Sequence, residues 1–301
     1  MWLSRHFRGY FLATRPAFLS ISIVACFIGF AIAAKISQIN WGINIVCFLL
    51  VLLVHAAANL SNDYFDSLNG SDAQNTQCVS PFTGGSRFIQ NNLFTEIQIK
   101  QLSLGIYLTT IFGGIMLSWM TSWHLIWVGL GGLIFGWFYS APPLKLMCRG
   151  LWGEIAIICA WTLVVIGSTM ISTKELSATS LILGLAYGLM VANILFVNQI
   201  PDIEADQRAG KLTLAVKTHK QYLWLWTLIL SGVAYGLLLA FVGLGSLPKV
   251  YLLPLLCWPL NILTAYEITF DNQQSKVASI KQTILASHLF GLLLLVSTVI
   301  A

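Results

Sequence analysis

A chain of 301 residues that is 57% hydrophobic and 9% charged, with a mean hydropathy of +0.80, is not a soluble globular protein, since about a quarter of the residues in such proteins are charged. No stretch of ordinary composition is long enough for a separate soluble domain, so residues 1–301 read as one all-α, polytopic membrane domain. The net charge of +5 could suggest a nucleic-acid partner, but its distribution, a bias of lysine and arginine to one side of the apolar runs, is that of a membrane protein and argues otherwise.

Residues 1–16 form a basic interfacial segment, with Arg5, Arg8 and Arg15 among the aromatics Trp2, Phe7, Tyr10 and Phe11. No small-residue cleavage site follows it, so the first apolar run is expected to be a retained helix opened by Pro16. Nine apolar runs of spanning length are expected, at about 17–34, 41–60, 101–120, 123–140, 152–172, 178–198, 222–244, 248–266 and 283–300. They are expected to surround a central cavity open to the cytoplasmic side. With the N-terminus in the cytoplasm, thirteen of the sixteen lysines and arginines fall on that side, against Lys35, Lys174 and Lys249 on the other. That bias sets an orientation suited to a bacterial-type inner membrane, with the C-terminus on the far side. The six cysteines show no C-x-x-C or Cys/His spacing, so neither disulfides nor a zinc site is expected.

The second run ends in Asn62-Asp63-Tyr64-Phe65-Asp66 and the sixth in Asn198-Gln199-Ile200-Pro201-Asp202-Ile203-Glu204-Ala205-Asp206. Of 11 acidic residues, six (Asp63, Asp66, Asp72, Asp202, Glu204 and Asp206) fall in or beside these stretches. Carboxylates clustered at the membrane edge are costly and mark function. Either pair alone would read as a helix cap or a solvated face; two pairs at matching depth, each with an asparagine four residues before an aspartate, argue for a shared site. On a helix, positions 63 and 66, or 202 and 206, project from one face. Two such faces opposed across a cavity make an all-oxygen environment suited to Mg2+ shared with substrate phosphates.

The long polar segment near 67–98 carries Thr83-Gly84-Gly85-Ser86-Arg87, where paired glycines let backbone N–H groups approach an anion. After the fourth run comes Tyr139-Ser140-Ala141-Pro142-Pro143-Leu144-Lys145, then Arg149; Gly210-Lys211 follows the second acidic stretch. Arg87, Lys145, Arg149 and Lys211 are the expected phosphate contacts. Glu154 stands between two readings, a helix-start carboxylate and a site residue. Together these features describe a diphosphate held by Mg2+ at a membrane-embedded site.

These motifs resemble those of the UbiA superfamily of intramembrane prenyltransferases over nearly the whole chain. Asn62-Asp63-x-x-Asp66 is similar to its first aspartate-rich motif, Asp202-x-x-x-Asp206 to its second, and Tyr139 through Lys145 to the loop after its fourth helix. Gly70-Ser71-Asp72 and Gly84-Gly85-Ser86-Arg87 are most similar to the branch that prenylates 1,4-dihydroxy-2-naphthoate in menaquinone synthesis. Where other branches place a third aspartate four residues after Asp66, this chain has Gly70, with Asp72 two further on.

The resemblance implies two Mg2+ ions on Asp66, Asp202 and Asp206, with help from Asp63, binding a polyprenyl diphosphate; Asp72 is a further candidate metal ligand whose reach to the metal the motif leaves open. It implies catalytic roles for Asp66, Asp202, Asp206 and Tyr139, the last by facing an allylic cation. Asn62, Asn198, Arg87, Lys145, Lys211 and Arg149 would contact the diphosphate. An electron-rich aromatic acceptor attacks, the isoprenoid tail lies toward the lipid bilayer, and in the naphthoate branch the attacked carbon loses its carboxylate. The rivals are another acceptor (4-hydroxybenzoate, homogentisate or a specialised phenolic) and, in a different class, an ion-coupled transporter, which would place carboxylates mid-helix and on both leaflets.

Overall fold

The computed structural model describes residues 2–76, 78–80 and 82–301, with the side chains of 2–7 outside the described set. The expected interfacial placement of the Trp2 and Phe7 side chains therefore lies outside the described residues; their backbone belongs to helix α1 (Trp2–Ala13). Pro16 does open the next helix, α2 (Pro16–Ile36), as a residue without a free N–H suits a first turn.

The chain is almost entirely helical. After α2 come α3 (Trp41–Asn69), the single turn α4 (Ser71–Gln74), α5 (Glu96–Met120), α6 (Leu125–Phe138), α7 (Trp152–Thr173) and α8 (Ala178–Gln199). Short α9 (Ile203–Arg208) and α10 (Leu214–Lys217) precede α11 (Leu223–Gly243), α12 (Trp258–Ile268) and α13 (Gln273–Ile300). Caps set several starts: Asn40 Oδ1 accepts from the Ile43 N–H, and Thr95 with Gln98 forms a reciprocal capping box at α5.

Among the described residues, eight helices are long and apolar enough to cross a membrane, so the expected count of nine is not reached. The fourth run yields only the 14-residue α6, which at 1.5 Å per residue spans about 21 Å of a core near 30 Å thick. The run at 248–266 is also irregular. Lys249–Cys257 is a tight 3-10 helix with Pro254 inside it, because the prolines at 254 and 259 withhold N–H groups, and α12 proper follows.

Helix α8 is the central post: 83% of its most apolar stretch is buried inside the protein, against 22% for α5. It packs on α7 through Gly184 and Gly188; a Cβ added at Gly188 would come within 2.6 Å of the Ile158 carbonyl oxygen. Such small-residue faces bring membrane helices close where lipid offers no hydrophobic drive to associate. The outer faces carry lipid-facing apolar side chains such as Leu108, Trp119 and Trp127. All six cysteines are free.

One detail of the topology matters for the site. Arg149–Gly150 (β1) and Leu212–Thr213 (β2) form a parallel bridge, which ties the loop after α6 to the loop after α9. This carries Lys211 toward the end of α3.

Candidate active site

Helix α3 does not stop before its acidic motif; it continues to Asn69 and ends on Gly70 in the left-handed region, at φ 79°. Asn62 and Asp66 therefore lie one turn apart on one face, and Asn62 Nδ2 donates to Asp66 Oδ2 at 3.0 Å. The second stretch is broken at Pro201. Asn198 sits in the last turn of α8, Asp202 caps α9, and the Asp206 N–H donates to the Asp202 carbonyl at 2.9 Å.

The two stretches meet. Lys211 Nζ lies 2.9 Å from Asp66 Oδ2 and 3.7 Å from Asp206 Oδ1. Asn75, from the loop after α4, donates to Asp202 Oδ1 at 2.7 Å. Asn62, Asp66, Asp72, Tyr139, Asn198, Asp202, Asp206 and Lys211 all line one cavity of about 250 Å³. Its remaining wall is largely apolar, from α2, α3, α6, α7 and α8. A second cavity, of about 310 Å³ between α3, α5, α6 and α7, shares Val51, Val54, Gly132, Ala160 and Val164 with the first.

Four expected residues stand elsewhere. Asp63 is buried against Arg15 and accepts from the Ser86 N–H at 3.3 Å, so a cation of the chain itself already occupies it, and it does not line the cavity. Arg87 turns its guanidinium away to brace the loop, donating to the Asp72 carbonyl at 2.6 Å and the Asn75 carbonyl at 3.3 Å. Lys145 is exposed, and Arg149, also exposed, donates to the Pro143 carbonyl at 3.0 Å. The glycine loop is likewise spent on the chain's own carboxylates rather than open to an anion: the Gly84 N–H donates to Asp202 Oδ2 at 3.3 Å. Gly84 and Gly85 have φ 76° and 75°, and a Cβ on Gly85 would run into the Asp72 carboxylate, so the pair is required for this close approach.

Burial of so many carboxylates shifts their titration. Burial pushes the Asp72 carboxyl up to about 7, with Asp66 and Asp63 adding repulsion and Arg15 and Lys211 opposing it. Burial likewise lifts Asp206 to about 7, Lys211 opposing, and raises Asp202 against its hydrogen bond from Asn75. Burial would lower the Lys211 ammonium, but Asp66 and Asp206 outweigh it and hold it well above its ordinary value. Glu154 is buried; Oε1 accepts from Gln199 Nε2 at 2.8 Å and Oε2 has no partner, so the carboxylate braces the end of α8. Glu204 is exposed.

Among the described residues no three His, Cys, Asp or Glu side chains already converge as a metal cage. The donors nonetheless fit a hard divalent cation shared with phosphate oxygens: all are oxygens, Asn198 Oδ1 is buried without a partner, and an ammonium stands between Asp66 and Asp206. Sequence reasoning missed Arg15 and Asn75. Arg15 was absorbed into the basic N-terminal count, and nothing in the spacing marks Asn75.

The UbiA prenyltransferase family matches residues 22–290. The chain belongs to that family. It is 25% identical to a 1,4-dihydroxy-2-naphthoate octaprenyltransferase of Bacillus subtilis (strain 168), over 96% of this chain and 91% of that protein. It is 28% identical to a UbiA prenyltransferase domain-containing protein 1 homolog of Drosophila melanogaster, over 96% of this chain and 78% of that one. Its fold is that of a UbiA homolog from Archaeoglobus fulgidus bound to DMAPP and Mg2+, with a TM-score of 0.68 at 16% identity, covering 97% of this chain and 99% of the other. The chain is thus an integral membrane prenyltransferase.

Proposed function

We propose that the protein transfers a polyprenyl group from a polyprenyl diphosphate to an aromatic acceptor, 1,4-dihydroxy-2-naphthoate, with loss of the acceptor's carboxylate. The observation that carries this reading is the joining of both acidic stretches by Lys211 and Asn75 at one end of a cavity that is otherwise apolar. A diphosphate needs the first part and an isoprenoid tail the second. The acceptor and the decarboxylation follow the printed activity of the Bacillus subtilis relative.

Asp66, Asp202, Asp206 and Asp72, with Asn62 and Asn198, would hold the metal and diphosphate. Bound Mg2+, as two ions, would supply Lewis-acid withdrawal of charge from the departing diphosphate. Lys211 stays protonated and sits where the leaving pyrophosphate gathers charge, which is where a fixed cation lowers a barrier. The allylic C–O bond breaks, the acceptor's ring carbon forms the new C–C bond, and the electrons of its bond to the carboxylate return to the ring as carbon dioxide leaves. Tyr139, on the cavity wall, faces the allylic centre. The tail runs into the adjoining apolar cavity and on to lipid. The N-terminus and the acidic cradle face the cytoplasm, by the lysine and arginine bias.

Asp66→Ala and Asp202→Ala each abolish transfer while the protein still inserts and elutes as the wild type does. Calorimetry of Mg2+ plus a non-hydrolysable prenyl diphosphate analogue shows lost binding in both variants; near-normal turnover in either overturns the metal assignment.

A further inference from the structure

The apolar half of the cavity is not featureless. His55, Asn59, Asn62 and Asp66 follow the 4-3-4 spacing of one face of α3, and all four line the cavity. His55 lies seven residues before Asn62, about 10 Å deeper along the helix axis. Its Nδ1 is within 2.8 Å of the hydroxyl of Ser22, itself buried on α2, and no protein group occupies Nε2 among the described contacts. The Trp161 ring, from α7, meets the imidazole at right angles, with centroids 5.1 Å apart, and its buried indole N–H has no hydrogen-bond partner. Both rings line the cavity, among Val51, Val54 and Ala58.

Buried donors without partners are costly in a membrane interior, and one carried by a ring that lines a cavity points to a ligand. Ser22 can accept from Nδ1–H, which leaves Nε2 a free acceptor, and the neighbouring indole ring carries a donor without a partner. One acceptor and one donor together match a hydroxyl group, which both donates and accepts. The wall between this pair and the acidic cradle is largely apolar, as the body of an aromatic ring requires.

We propose that His55, oriented by Ser22 and paired with Trp161, is the subsite that binds the aromatic hydroxyl of the acceptor that is not adjacent to its carboxylate, holding the ring beside the allylic carbon. His55 acts here as a binding and positioning residue for the acceptor. The inference rests on the aromatic-acceptor reading above.

The test compares wild type with His55→Phe, His55→Gln, Ser22→Ala and Trp161→Phe. The KM is measured for 1,4-dihydroxy-2-naphthoate and for the prenyl diphosphate, together with the inhibition constant of 1-hydroxy-2-naphthoate, which lacks the second hydroxyl. His55→Phe should raise the acceptor KM about tenfold or more, leaving the prenyl diphosphate KM and the inhibition constant of the monohydroxy analogue within twofold. His55→Gln, which keeps an acceptor atom, should recover part of the loss, and Ser22→Ala and Trp161→Phe should show smaller changes in the same direction. An unchanged acceptor KM, or equal weakening of both naphthoates, overturns the proposal; equal weakening is what a purely structural role would give. If the wild type takes 4-hydroxybenzoate instead of the naphthoate, the naphthoate reading fails. The subsite is then read from 4-hydroxybenzoate against benzoate, with the same two outcomes.

Discussion

Lys211 is the residue whose removal is most informative. Its side chain is 14% exposed, and the ammonium lies between Asp66 and Asp206, each with a side chain 7% exposed. Lys211→Met keeps the length and apolar stem of the side chain but leaves these carboxylates facing one another with no cation between them. Breaking a buried pair by removing one partner typically costs about 3–5 kcal/mol, which at about 2–4 °C per kcal/mol lowers the melting temperature by on the order of 10 °C. Asp206 already titrates at about 7 and loses the group that opposes its rise. The variant can therefore relieve repulsion by taking up a proton, so the deficit is smaller at pH 6 than at pH 8. Turnover falls about a hundredfold or more, as when one preorganised charge is withdrawn from a developing anion. The assays are thermal unfolding in detergent, with and without Mg2+ and pyrophosphate, and prenyl transfer under saturating substrates. A variant that melts within a degree of wild type and turns over within threefold of it would refute the reasoning.

Three further expectations follow from the same geometry. Asp72 and Asp206 are raised from 3.8 to about 7, so the ligand-free folded chain binds more protons than the unfolded chain between those values; its stability is highest below that window and falls as pH rises through it. Melting curves at pH 5 and pH 8 check this, and Mg2+ with pyrophosphate should stabilise more at the higher pH; a ligand-free protein that melts higher at pH 8 would contradict it. Lys145→Ala and Arg149→Ala, both at exposed positions away from the cavity, stay within threefold of wild-type turnover, whereas Arg15→Met, which strips Asp63 of its partner, loses at least tenfold; equal losses in all three would restore the loop cations to the site. Gly132 lines both cavities and a Cβ there meets nothing within 4 Å, so Gly132→Leu should fold normally and close the passage between them. It should raise the KM for long prenyl diphosphates but not for dimethylallyl diphosphate; equal effects on both would remove the adjoining cavity from the tail's path.

Much of this was legible before the structure. The hydrophobic runs located the helices, because a membrane span demands a length of apolar residues that little else in a protein requires. The pairing of Asn62 and Asp66 with Asn198, Asp202 and Asp206 pointed to the cavity that these residues line, because carboxylates cluster at a membrane edge only for a reason. The misreadings have physical causes. The stretch at 123–140 is apolar enough to suggest a full span, but only 14 residues of it, Leu125–Phe138, wind into helix. Lys145, Arg149 and Arg87 carry the right charge near the right motifs, yet sequence distance does not say where a long side chain points, and Arg87 turns back to two loop carbonyls. Conversely, Arg15 reaches Asp63 from 48 positions away and Asn75 reaches Asp202 from 127 away, partnerships that only the packing of helices creates.

The most direct test of the central claim is prenyl transfer by the purified protein in lipid, with Mg2+ and a polyprenyl diphosphate. The acceptors 1,4-dihydroxy-2-naphthoate, 4-hydroxybenzoate and homogentisate are offered in parallel, with an EDTA control. The account predicts product with the naphthoate, carbon dioxide released in equal amount, and neither in EDTA. Transfer undiminished by EDTA, or no binding of the prenyl diphosphate at all, would contradict it.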